Sequence, residues 1–76
     1  MTFNSNSKNN TFTGNTVISS EAYAVVMPST KDANNTVQNN VLLAASNAGD
    51  AAVNPNNGTG NTISNNLSEA ATGEVT

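Results

Sequence analysis

The chain of 76 residues has no cysteine and no histidine. Without cysteine there is no disulfide and no thiolate to hold a metal. Without histidine it lacks the commonest general base and the commonest metal ligand, and no cofactor is expected. Tryptophan is also missing, and Phe3, Phe12 and Tyr23 are the only aromatic residues. Lys8 and Lys31 are the only basic residues in a chain of net charge −3. Two lysines cannot form the basic surface that releases counterions from a phosphate backbone, so nucleic acid is excluded as a partner. No long apolar run, juxtamembrane basic cluster or signal-like segment is present, and no membrane partner is expected. Charged residues make up 9% of the chain. A compact globule of this length normally needs a denser apolar core or a covalent staple. Disorder usually goes with high net charge and few β-branched residues, whereas here Val, Ile and Thr recur at fixed places.

What the chain does have is a motif in three copies: Asn10-Thr11-Phe12, Asn35-Thr36-Val37 and Asn61-Thr62-Ile63. A further asparagine follows each copy, at Asn15, Asn40 and Asn66. A recurring period of this size built from Asn, Thr and β-branched residues predicts a stacked repeat. The division into units is 1–23, 24–50 and 51–76. Each opens on an apolar residue in an extended stretch (Phe3, Val26, Val53), passes through a turn-rich stretch and then the motif. A third apolar stretch closes it: Thr16-Val17-Ile18, Val41-Leu42-Leu43 and the weaker Leu67-Ser68-Glu69. The pattern predicts three short strands per unit, separated by turns rich in Asn, Gly, Pro and Ser. Pro28 and Pro55 are expected at equivalent places just after a strand, where a missing N–H costs nothing.

In parallel strands, like residues of successive units form columns. Phe12, Val37 and Ile63 are expected to form one inward column, and Phe3, Val26 and Val53 a second. Asn15, Asn40 and Asn66 are expected to form a carboxamide ladder at a turn, each side chain donating to the oxygen of its neighbour. The stretches Asn-Asn-Thr-Val-Gln-Asn-Asn-Val at 34–41 and Asn-Thr-Ile-Ser-Asn-Asn-Leu at 61–67 resemble the repeat of right-handed parallel β-helix proteins. That superfamily includes pectate lyases, polysaccharide epimerases, phage tailspikes and surface adhesins. The resemblance implies an all-β, single-stranded right-handed parallel β-helix (β-solenoid) of about three coils, with three short strands per coil.

Enzymes on that fold use clustered carboxylates, often with Ca²⁺, lysine or arginine. The acids here, Glu21, Asp32, Asp50, Glu69 and Glu74, share no column and no adjacent outward pair. Asp32 and Asp50 are expected in turns, where aspartate makes local hydrogen bonds, so no catalytic residue is assigned. Thr11, Thr36 and Thr62 form an outward column like that of ice-binding solenoids, but the companion column is the degenerate Thr13, Gln38 and Ser64. Strand preference explains the threonines as well. Asn-x-Ser/Thr sequons at Asn9, Asn34, Asn57 and Asn66 are what chance provides in so Asn-, Ser- and Thr-rich a chain. Tyr23, with its polar end, is the aromatic suited to contact a glycan.

Three coils rise only about 14 Å at the usual strand spacing and leave open strand edges at both ends. No cap is legible, so association with a further copy of the chain or with a larger β-helical chain is expected. The expected role is a non-catalytic structural segment of an extracellular or virion protein such as a tailspike or adhesin, with polysaccharide contact. The alternatives are a fragment of a polysaccharide lyase, hydrolase or epimerase, and an ice-binding solenoid.

Overall fold

The computed structural model describes residues 1–4 and 6–68. Glu69 and Glu74 therefore lie outside the described residues. The fold is all-β: seven short strands, one 3₁₀ turn at Gly49–Ala52 and no α-helix among the described residues. The strands are β1 (Thr11–Thr13), β2 (Thr16–Ile18), β3 (Val25–Val26), β4 (Thr36–Gln38), β5 (Val41–Leu43), β6 (Val53–Asn54) and β7 (Thr62–Ser64). They form three small parallel sheets, ordered β1-β4-β7, β2-β5 and β3-β6. Neighbouring strands always come from successive copies of the repeat. This is why strands of two or three residues persist: each contributes few hydrogen bonds, but its partner is held in place by the same turns.

In the largest sheet, Phe12 faces Val37 and Val37 faces Ile63. Val37 is buried and its two neighbours are half-buried. Thr11-Thr36-Thr62 and Thr13-Gln38-Ser64 lie in register on either side. A three-residue strand turns only its central side chain inward. The core is accordingly thin: Phe3, Ala24, Val25, Met27, Val37, Leu42, Ala52 and Val53, with Phe12, Val17, Ala44 and Ile63 packed against it.

The second apolar column departs from expectation. Val53 pairs with Val25, and Val26 is bridged by Thr2. The expected Phe3–Val26–Val53 column is thus one residue out of register. Val25 and Met27 are buried, with the part-exposed Val26 between them, so strand alternation turns Val26 away from the inside. A slip of one residue exchanges the two faces of a strand. The prolines are offset too: Pro55 directly follows β6, whereas Met27 stands between β3 and Pro28. Among the described residues the third unit continues the β2-β5 sheet only through a single bridge from Leu67 to Val41, and Glu69 of the expected third stretch lies outside them.

Leu42 is fully buried and Ile18 is 71% exposed, although they sit on neighbouring strands of one sheet. Leu42→Ala is expected to lower unfolding free energy by about 2–5 kcal/mol. Ile18→Ala should stay within about 0.5 kcal/mol of the parent. Urea denaturation followed by circular dichroism measures both, and equal losses would contradict this placement of the core.

Candidate functional site

The most highly organised side chains are asparagines at the corners flanking β1, β4 and β7. Each corner is a residue with positive φ followed by an asparagine. Before the largest sheet the pairs are Asn9-Asn10, Asn34-Asn35 and Gly60-Asn61, with φ of 60°, 57° and 71° at the first residue. After it they are Gly14-Asn15, Asn39-Asn40 and Asn65-Asn66, with φ of 71°, 59° and 55°. Asparagine tolerates the left-handed region better than other residues with a Cβ, and glycine enters it without cost. At Gly60 a Cβ would stand 2.2 Å from Asn34 Oδ1, so a side chain there would also require the exposed Asn34 carboxamide to turn aside.

The second residue of each pair builds a ladder. Asn15 donates from its main-chain N–H and from Nδ2 to Asn40 Oδ1, at 2.9 and 3.3 Å. Asn40 donates in the same way to Asn66 Oδ1, at 3.2 and 2.9 Å. The other Nδ2 proton turns back to a carbonyl of the preceding unit: Asn40 to Phe12 and Asn66 to Val37, both at 2.9 Å. Main-chain carbonyls close the loop, since Val41 N–H donates to Asn15 O and Leu67 N–H to Asn40 O, each at 2.8 Å. Asn40 is 1% exposed, yet its Oδ1 accepts two hydrogen bonds and its Nδ2 donates two.

A second ladder, which the sequence analysis did not assign, runs along Asn10, Asn35 and Asn61. Asn10 donates from N–H and Nδ2 to Asn35 Oδ1 at 3.0 and 3.1 Å. Asn35 N–H donates to Asn61 Oδ1 at 3.0 Å. The Nδ2 groups of Asn35 and Asn61 reach back to the carbonyls of Ser7 and Asp32, each at 3.0 Å. The signal was present as Asn-Asn or Gly-Asn doublets before every motif copy and again before Asn15, Asn40 and Asn66.

Asp32 and Asp50 accept hydrogen bonds, and three of these are not local. Asp32, fully buried, accepts from Ser29 N–H at 3.1 Å and from Ser7 N–H of the preceding unit at 2.7 Å. Asp50 Oδ1 accepts from Asn66 N–H and Nδ2. Glu21 is exposed in a turn. Among the described residues no three His, Cys, Asp or Glu side chains come together. In the outward columns, Gln38 Nε2 donates to Ser64 Oγ at 2.7 Å.

Tyr23 is 37% exposed and borders an open concavity of about 310 Å³ shared with Met1, Ser19, Glu21 and Val26. A concavity of the same volume lies between Phe3, Asn10 and Phe12.

Replacing Asn40 tests the ladder. Asn40→Ala strands two donors of Asn15, removes the Nδ2 bonds to Phe12 O and Asn66 Oδ1 and leaves Asn66 Oδ1 only the main-chain N–H of residue 40, and should cost about 2–5 kcal/mol of unfolding free energy. Asn39→Gly keeps the left-handed corner and should be neutral within about 0.5 kcal/mol. Chemical denaturation of the two variants distinguishes a satisfied carboxamide from general sensitivity of the corner.

Comparison of the chain with protein-family models, curated proteins and solved structures gave no match.

Proposed function

We propose that the chain is a three-coil parallel β-solenoid, right-handed like the proteins its repeat resembles, and that it serves as a non-catalytic structural segment of an extracellular or virion protein. The observation that carries this reading is the pair of asparagine ladders. They tie each unit to the next, and at Asn40 and Asn66 the side chain's oxygen and both its N–H bonds are engaged within the chain. Residues used in this way hold strands, corners and register, and have no valence left for chemistry. The parallel sheets, with every strand paired to its counterpart in the next copy of the repeat, support the solenoid. The β1 edge, unpaired among the described residues, supports association with a larger β-helical chain or, edge to edge, with the β1 of a second copy.

Polysaccharide contact is the part of the role supported by Tyr23, whose ring borders a shallow concavity beside Ser19 and Glu21. An aromatic face next to hydroxyl and carboxylate groups suits a sugar ring. A lyase, hydrolase or epimerase fragment has less support, because Asp32 and Asp50 spend their carboxylates on main-chain or corner N–H groups. Ice binding has the in-register column Thr11-Thr36-Thr62 in its favour. The companion column ties Gln38 to Ser64 instead of presenting a second row of free hydroxyls.

The scaffold reading predicts a β-type far-UV circular dichroism spectrum and resistance of the intact chain to a broad-specificity protease. Incubation with a panel of neutral and acidic polysaccharides should release no new reducing ends and no unsaturated uronates. Product formation would overturn the non-catalytic assignment, and a mainly helical spectrum would overturn the fold. For the glycan contact, NMR titration with oligosaccharides of the same panel should shift resonances around Tyr23. Tyr23→Ala should weaken that binding about tenfold, the loss of one stacking contact of roughly 1.4 kcal/mol.

A further inference from the structure

Asp50 holds a place in the ladder that its sequence number does not suggest. Asn15 and Asn40 each aim a main-chain N–H and an Nδ2 at one Oδ1 that lies 25 or 26 residues ahead. Asn66 aims the same two donors at Asp50 Oδ1, at 2.9 and 2.8 Å, and that acceptor lies 16 residues behind it. The acceptor comes from the return between β5 and β6, which is longer than its counterpart. Val41 to Val53 spans twelve residues, whereas Thr16 to Val25 spans nine. The extra length lets the chain double back, with Ala48 bridged antiparallel to Leu43. Gly49 then lies against the Asn66 main chain with φ +62°, where a Cβ would stand 2.8 Å from the Asn66 carbonyl oxygen.

We infer that Asp50 is a closing rung: it supplies from within the chain the acceptor that a further unit would supply, and so keeps a second copy of this chain from stacking on the Asn66 end. The inference rests on the β-solenoid reading. A second copy is the occupant excluded because the two ends of the ladders are complementary. At one end the Oδ1 atoms of Asn10 and Asn15 accept no hydrogen bond among the described residues. At the other end Asn61 N–H has no acceptor among the described residues, and Asn66 would offer its two donors if Asp50 did not take them. An incoming Asn15 Oδ1 instead finds both Asn66 donors already spent on Asp50 Oδ1. Head-to-tail contacts of this kind do not close and lead to filaments. An asparagine-rich strand edge is a hazardous template for them.

The test compares the full chain with Asp50→Asn, Asp50→Ala and the double variant Asp50→Ala/Asn15→Ala by sedimentation velocity across a wide concentration range. Asparagine keeps an Oδ1, so Asp50→Asn should give the same distribution of species as the parent. Asp50→Ala frees both Asn66 donors and should form larger species as concentration rises. Adding Asn15→Ala removes the incoming acceptor and should abolish them. A folded Asp50→Ala that sediments like the parent overturns the inference. So does association that survives Asn15→Ala, or association by Asp50→Asn. Amide hydrogen exchange on the parent protein decides the matter even if Asp50→Ala fails to fold. The Asn66 N–H should exchange at least about tenfold more slowly than an unstructured amide, as should the Asn40 N–H. A protected Asn40 with an open Asn66 overturns the closing rung alone, and two open amides overturn the solenoid reading beneath it.

Discussion

A buried carboxamide is tolerable only if its oxygen and both its N–H bonds are engaged. Asn40 meets this condition by drawing on three successive units at once: donors from Asn15, a carbonyl on Phe12 and an oxygen on Asn66. No single unit can satisfy it. The stacking of units therefore follows from the burial of asparagine as much as from the burial of valine or leucine. It also fixes the spacing, since a unit displaced by one residue would present a different side chain to every rung.

The same constraint accounts for the thin core. Strands of two or three residues turn one side chain inward apiece, and the central residues Val37 and Leu42 are buried while their flanks are half-exposed. Such a core alone is small for a domain of this size. The corners make up part of the difference by specificity. Each pairs a left-handed residue with a ladder asparagine, so backbone geometry and side-chain bonding select the same register.

Much of the architecture was legible because the repeat is nearly periodic. The Asn-Thr-apolar copies located β1, β4 and β7, and Thr16-Val17-Ile18 and Val41-Leu42-Leu43 located β2 and β5. The Phe3, Val26 and Val53 alignment failed where the period breaks: β3 and β6 start 28 residues apart, against 25 for β1 and β4. Two adjacent valines at 25 and 26 do not say which of them faces inward, and the buried Met27 decides it. The ladder along Asn10, Asn35 and Asn61 was overlooked because those asparagines were read as part of a strand motif rather than as corners. Asp50 was beyond reach for another reason. Its bond to Asn66 depends on a loop that folds backward across the repeat, and periodicity carries no information about a segment that departs from it.

The ladders also have a direction. Every rung turns its oxygen toward the preceding unit and an N–H toward the following one, so the carboxamide dipoles add along the stack as peptide dipoles add along a helix. The end that carries the Asn61 N–H and the Asn66 donors is thereby the positive end of the ladders, and the end that carries the Asn10 and Asn15 Oδ1 atoms the negative one. The carboxylate of Asp50 sits on the positive pole. An aspartate at the first turn of an α-helix answers the same field with the same chemistry. The molecule has thus arrived, without any α-helix among its described residues, at an N-cap for a column of side chains.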